Sequence, residues 1–304
     1  MRLERLDLNL LVAFDALMQE RSVSIAAERL NLSQSAMSGS LRRLREFFGD
    51  PLFVQVGREM VPTTRAFDLS DDVQHVLVHI RSTIIPPRDF DPLTAKREFS
   101  IMASDYVYDV ILSDVLKTIS RSMPGLTFHL FNPSPQVMMA FERGEIDLLI
   151  TLEEFLSQDH PARPLFDDSL RVICWTENSK VTDHITIEQF EALPQVEVAF
   201  GPDRRLTFCE RELAEFNLNR HVEMRVSTFS AVPQQVVGTD RVAIMNGHHA
   251  VHFSKIFPLK HMALPLNTRI LREFIQWNSM RKTDRGVLWL RDLLTESCAT
   301  LRPL

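Results

Sequence analysis

The run Ser33-Gln34-Ser35-Ala36-Met37-Ser38 is short, polar and uncharged, and Arg42, Arg43 and Arg45 follow within two helical turns. Glutamine can hold adenine through two hydrogen bonds, serine serves several bases, and arginine grips phosphate or guanine. Arg42 stands four residues after Ser38 and so shares its helix face. Residue types in that order suit the reading of double-stranded DNA; a solvated surface helix is the plain alternative. Ser24, on a short helix just before, and Arg58, at a Gly57-Arg58-Glu59 turn, complete the candidate DNA-facing set with phosphate or minor-groove contacts.

Other groupings offer less. His248 and His252 lie four apart with His249 between them, but neither a cysteine pair nor an HExxH run accompanies them. A solvated or locally bonded cluster is therefore expected, and no metal site is assigned. The pairs Glu153-Glu154 and Asp167-Asp168 are neighbours in sequence, point to different faces, and are expected in solvent. No GxSxG, P-loop or GxGxxG occurs, so no catalytic residue and no cofactor is assigned. Tyr106 and Tyr108 with Phe99 read as core. Cys174, Cys209 and Cys298 are sparse and odd in number, which argues against a disulfide framework and fits a reducing compartment.

Composition bounds the rest. With 304 residues, 45% apolar and 24% charged, the chain suits two or three globular domains and excludes disorder. Glu4 and Asp7 sit where a signal peptide would carry none, and Asn9 and Asp15 break the apolar stretch Leu8 to Met18. A cytoplasmic protein without a membrane span is expected. Net charge is −6, yet residues 1–66 hold nine arginines, no lysine and eight carboxylates, leaving one positive charge there and −7 on the remainder. An arginine-only head on an acidic body fits DNA contact by one small module.

These side chains need elements to position them. A helix is expected from Asn9 to Glu20, a second, capped by Ser22, from Val23 to Leu30, and a third, capped by Ser33, to about Phe48. Asn31 suits a left-handed turn between them, and Gly49 with Pro51 ends the third. Helix, short helix, turn and polar-fronted helix form a helix-turn-helix pattern. Leu52 to Val56 and Met60 to Pro62 around Gly57 read as a hairpin wing. From Thr64 to Ile85, Leu69, Val73, Val76, Leu77, Ile80 and Ile84 form a near-heptad seam suited to pairing with a second copy, or to packing within its own domain. Pro86, Pro87, Asp89 and Pro92 make a stiff linker. Beyond it, strands and helices alternate, which implies parallel α/β sheets. Residues near 165–265 could form one lobe inserted between two halves of another.

Leu6-Asp7-Leu8-Asn9-Leu10-Leu11-Val12-Ala13-Phe14, Asn31-Leu32-Ser33-Gln34-Ser35-Ala36-Met37-Ser38 and Asp50-Pro51-Leu52-Phe53 resemble a LysR-type transcriptional regulator. Phe99 to Tyr106, Arg143 to Ile150 and Gly238 to Ala243 are similar to one subgroup of that family. It contains flavonoid-responsive nodulation regulators and activators of naphthalene, lindane and chlorophenol degradation. Ser35 stands where the family usually has proline; serine can donate to phosphate.

The resemblance implies an α/β chain with a winged helix-turn-helix over 1–63, a linker and dimerisation helix with hinge over 64–92, and a two-lobed, periplasmic-binding-protein-like effector domain over 93–304. Its lobe I would span about 93–164 and 266–304, and lobe II about 165–265. It also implies a homodimer or homotetramer on a promoter dyad, with half-sites about 34–36 Å apart, contact with RNA polymerase, and a small aromatic inducer in the cleft. On that map Ser104, Asp105, Asn132 and Thr151 follow strands of one lobe, and Phe200, Phe229 and Asn246 come from the other. The two phenylalanine rings could stack on an aromatic effector. Asp105 would repel an anion, favouring a phenol or quinol over an acid such as salicylate. The expected role is activation of an operon for aromatic degradation, with a nodulation-type regulator as alternative. An α/β enzyme acting on an aromatic lacks a nucleophile–base pair, and a solute-binding protein would need a signal peptide.

Overall fold

Ser22, Ser33 and Thr63 each accept a hydrogen bond from the backbone N–H three residues on, and a helix starts at each. In the computed structural model, which describes residues 6–56, 59–80, 90–201, 205–299 and 301, these helices belong to the first of two compact units. Helices α1 (Asn9–Glu20), α2 (Val23–Arg29) and α3 (Gln34–Phe48) precede the antiparallel strands β1 (Phe53–Val56) and β2 (Glu59–Pro62), and α4 (Thr64–His79) follows. Asn31 and Gly49 adopt the left-handed conformation expected of them. Leu10, Leu11, Phe14 and Leu17 of α1 pack on Met37, Leu41 and Leu44 of α3, while the small Ala26 and Ala27 let α2 approach closely.

The corner after α3 is held by side chains. Arg45 donates from Nε to the Pro51 carbonyl at 2.8 Å and from Nη2 to the Phe53 carbonyl at 2.7 Å. The Asp50 carboxylate accepts from Leu52 N at 2.7 Å and from the Thr63 hydroxyl at 2.8 Å. The α4 seam divides: Val73 and Leu77 are buried in this unit's own core with Leu69 packed against it, whereas Val76 is exposed. Ile84, Pro86, Pro87 and Asp89 lie outside the described residues.

The second unit begins with β3 (Arg97–Met102), followed by α5 (Asp105–Val107), a π turn over Tyr108–Leu112 and α6 (Ser113–Ser122). Then come β4 (Leu126–Phe131), α7 (Pro135–Glu142), β5 (Leu148–Leu152), β6 (Ala162–Asp168) and β7 (Leu170–Trp175). Further on are α8 (Ile187–Ala192), β8 (Pro194–Phe200), β9 (Arg205–Leu206), α9 (Phe208–Ala214), β10 (His221–Val226) and α10 (Val232–Val236). The last elements are β11 (Val242–Asn246), α11 (Gly247–Ser254), β12 (Leu259–Ala263), β13 (Leu271–Trp277) and α12 (Arg285–Cys298).

Two sheets result, in the orders β4-β3-β5-β13-β6 and β10-β8-β11-β7-β12. They are mixed rather than wholly parallel. Strands β3, β4 and β5 run parallel, as do β8, β10 and β11, but β13 is antiparallel to both neighbours and so is β7. The antiparallel strands are those that carry the chain between lobes. Only Ser169 separates β6 from β7, and residues 264–270 make the return from β12 to β13. Strand β6 therefore belongs to lobe I, and the passage lies at Ser169 rather than near 165. Buried apolar clusters sit on both faces of each sheet, so each lobe is a helix–sheet–helix sandwich. Beneath lobe I, Arg97 donates to Asp284 at 2.5 and 2.9 Å and to Asp147 at 3.2 Å. Gly286 leaves room for that guanidinium; a Cβ there would meet Arg97 Nη1 at 2.5 Å. Among the described residues no helix is long and apolar enough to cross a membrane.

Candidate functional site

Two regions bring the singled-out residues together. In the first unit, Gln34, Ser35 and Ser38 are exposed on the front of α3, with Arg42 and Arg43 exposed one turn later. Ser33 is spent on capping: its hydroxyl accepts from Ala36 N and lies 3.0 Å from Ser35 Oγ. Arg42 has only Glu46 at 3.8 Å for company, both side chains well out in solvent, and Arg43 reaches Asp7 at 3.4 Å. Such exposed pairs are weak and leave both guanidinium groups available to phosphate. Ser24 is exposed on α2. Arg58 lies outside the described residues. The structure separates Arg45 from its neighbours, because its guanidinium is committed to the corner carbonyls.

In the second unit a cavity of about 570 Å³ opens between the lobes, and all seven candidate ligand residues line it. Ser104 and Asp105 follow β3, Asn132 follows β4 and Thr151 lies in β5; Phe200 ends β8, Phe229 precedes α10 and Asn246 ends β11. Ser104 also caps α5, accepting from Val107 N. Loops at the carboxyl ends of parallel strands converge here because both sheets point these ends at the cleft. Met102, Met138, Leu149 and Phe208 make much of the wall apolar. The two phenylalanines expected to stack on an aromatic effector also touch each other. Phe200 and Phe229 pack edge-to-face on each other, with centroids 5.7 Å apart and planes at 79°. That geometry satisfies the ring quadrupoles mutually, so a ligand would meet the pair as one L-shaped wall.

Several polar groups tie the lobes together around this cavity. Asp105 accepts from Ser230 N at 2.7 Å and from its hydroxyl at 2.8 Å, so its charge is engaged across the cleft. The same hydroxyl lies 2.7 Å from Asp109, which also meets His249 Nε2 at 2.9 Å. Burial works against the charge of Asp109, but hydrogen bonds from His249 and Ser230 outweigh it and hold its carboxyl below the usual range. His249 is fully buried, so it belongs to this pair and not to a solvated cluster.

Asp168 overturns the expectation of solvent exposure, being wholly buried. It accepts from the Tyr106 hydroxyl at 2.6 Å, from Ser169 N at 2.7 Å and from His248 N at 3.1 Å, donors that the fold gathers from three separate parts of the chain. Burial, reinforced by Asp168, raises the Tyr106 phenol well above its ordinary value. Glu153 and Glu154 are also paired, with Arg272 at 3.9 Å and with Arg211, whose guanidinium covers the Phe155 ring at the cavity wall. Cys209 lines the cavity 3.6 Å from Asn246 Oδ1, and burial raises its thiol, making it unreactive.

Sequence reasoning missed Glu273. It lines the cavity from β13, is 4% exposed, and its Oε2 makes no hydrogen bond. Burial, then the charge of Asp168, pushes its carboxyl up to about 8. The available signal was its phase: Leu271, Glu273, Ile275 and Trp277 alternate inward along the strand, and Glu273 is the polar member of that buried face.

Comparison with known proteins adds to the geometry. Residues 8–66 match the model for the bacterial regulatory helix-turn-helix protein, lysR family, and residues 94–299 match the LysR substrate binding domain. Nodulation protein D 1 of Rhizobium meliloti is 36% identical over 303 residues, covering 100% of this chain and 98% of that protein. A probable transcriptional regulator from Pseudomonas aeruginosa superposes with TM-score 0.69 at 27% identity, covering 96% of this chain and 97% of the other. Full-length CbnR, a structure complexed with its target DNA, shares the fold at TM-score 0.57 and 14% identity, covering 96% and 99%.

Proposed function

Since the chain belongs to the LysR family of bacterial transcriptional regulators, we propose that it controls an operon by binding a promoter dyad as a homodimer or homotetramer and responding to an uncharged aromatic inducer. The observation that carries the ligand half is the cavity. It is predominantly apolar, it holds Asp105 and Glu273, and no Lys, Arg or His side chain among the described residues lines it. An anionic effector would meet two carboxyl groups and, among the described residues, no counter-charge there, so hydroxylated neutral aromatics are favoured over acids such as salicylate. A volume of about 570 Å³ suits a ligand of two or three rings better than a single phenol. That size, together with relatives named for nodulation, favours a flavonoid-like inducer. Activation of an aromatic-degradation operon by a chlorophenol or quinol is the second reading, supported by the same absence of cations.

The DNA half rests on the exposed front of α3, where Gln34, Ser35 and Ser38 are oriented to base edges and Arg42, Arg43 and Ser24 to phosphate. Partly buried Leu69 and exposed Val76, seven residues apart and so on one face of α4, leave an apolar strip for a second copy, and RNA polymerase would be contacted once both copies occupy the dyad. A thermal-shift screen of quinols, chlorophenols, salicylates and flavonoids tests the reading. Stabilisation by neutral hydroxylated aromatics is expected; stabilisation by a non-aromatic compound alone would overturn it.

A further inference from the structure

We propose that Glu273 is the polar anchor of the cavity, where its carboxyl group takes the hydrogen bond that orients an uncharged, carbonyl-, amide- or hydroxyl-bearing aromatic ligand. The inference rests on the reading that this cavity holds the effector, and names the group that selects among effectors.

Two buried carboxyl groups are electrostatic neighbours here, Glu273 on the cavity wall and Asp168 outside the lining, and they are treated differently. Asp168 is saturated: a phenol and two backbone N–H groups donate to it. Glu273 has none of this, for its buried Oε2 lacks any partner while the residue lines the cavity. A buried polar atom without a partner is uncommon, because leaving it unmade forfeits its hydration. Strand β13 keeps a regular register with β5 through Glu273, whereas its pairing with β6 shifts after Glu273, where Leu165 of β6 is the extra residue, so the bulge lies on the neighbouring strand.

The titratable groups facing Glu273 are Asp168 from β6, Tyr106 from α5 and Cys209 from α9, all acids, and no cation among the described residues lines the cavity with them. The carboxyl is therefore kept neutral at physiological pH, with its value raised to about 8. A neutral acid presents one O–H donor and one carbonyl acceptor, the pattern that matches an amide, a ketone or a phenol. An arriving carboxylate could accept from that O–H, but it would bring its charge into the field of Asp168 with no cation among the described lining residues to offset it.

The test uses a non-titrating pair of probes, 2-naphthamide and 2-naphthoate, with the full chain, by calorimetric titration from pH 6.5 to 9.5. The amide is expected to bind and the acid to bind at least about tenfold more weakly. Amide affinity should fall as pH passes 8, and that fall should vanish in Glu273→Gln, which keeps the hydrogen bonds without the proton. Glu273→Leu should weaken the amide by about tenfold or more. Should the leucine variant fail to fold, the pH profiles of wild type and Glu273→Gln still decide. Equal amide binding by wild type and Glu273→Leu, a pH fall retained in Glu273→Gln, or preference for the acid would each overturn the proposal with the cavity reading intact. Binding of neither probe would instead remove the cavity reading, and the proposal with it.

Discussion

Replacing Glu273 by glutamine should make the protein more stable, and the gain should grow with pH. A carboxyl whose ordinary value is 4.5 is raised to about 8 in the folded chain by burial and by Asp168. Below 4.5 both folded and unfolded chains hold the proton. Between 4.5 and 8 the unfolded chain releases it while the folded chain retains it, so wild-type stability falls as pH rises, by about 1.4 kcal/mol per pH unit. Past 8 both have released it and the loss levels off at about 5 kcal/mol. Glutamine has nearly the same shape and no such proton. The variant should therefore lead by about 1 kcal/mol at pH 5.5 and about 3 kcal/mol at pH 7. Urea unfolding followed by tryptophan fluorescence reads the relevant unit, because Trp175, Trp277 and Trp289 are the chain's three tryptophans and all lie there. Differencing the two proteins removes the titration of every group that is unaffected by the substitution. A gap that stays constant from pH 5.5 to 8.5 would refute the reasoning, since it would mean that Glu273 titrates alike in both states.

Other outcomes follow from particular contacts. Joint replacement of Gln34 and Arg42 by alanine should abolish the operator shift in a gel assay with far-ultraviolet dichroism unchanged; retained binding would remove α3 from the groove. Arg45→Ala should lower thermal stability by about 1–3 kcal/mol, because the Pro51 and Phe53 carbonyls lose their donor; an unchanged melting profile would show that the corner holds without it. Gly286→Ala should destabilise by about 1–3 kcal/mol as its methyl meets the Arg97 guanidinium. Gly39→Ala, which meets nothing within 4 Å inside α3, should instead gain about 0.5–1 kcal/mol of helix stability. A melt that rises for Gly286→Ala, or falls for Gly39→Ala, would contradict the account of that glycine.

Local chemistry was legible where it is decided locally. Ser22 and Ser33 cap as their positions require, Asn31 and Gly49 turn left-handed, and the inward face of α1 follows its period. That the seven candidate residues share one cavity was legible, because strand ends in an alternating fold converge. What escaped was non-local. Strand β6 begins with the charged and proline-containing Ala162-Arg163-Pro164, tolerable only because it lies at a sheet edge. Strand β12 contains Lys260 and His261, whose polarity hides its apolar alternation. Asp168 and His249 carry side chains that favour solvent in isolation, and only partners more than sixty residues away in sequence, Tyr106 and Asp109, explain their burial. Glu273 was hidden by the same rule, since an inward carboxyl makes sense only against a cavity.

The near-continuity of β6 and β7 through Ser169 has a mechanical consequence. Asp168 knots that passage to Tyr106 on one lobe and to the backbone of His248 on the other, and Tyr106 is also a wall of the cavity. The cavity thus lies beside the passage between the two lobes rather than at their rims. Any turning of one lobe on the other would move the chamber walls by little and the distant sheet edges, β4 and β10, by much more. A contact of the size of one hydrogen bond is then geared to a long stroke at the outer surfaces, where neighbouring copies could feel it.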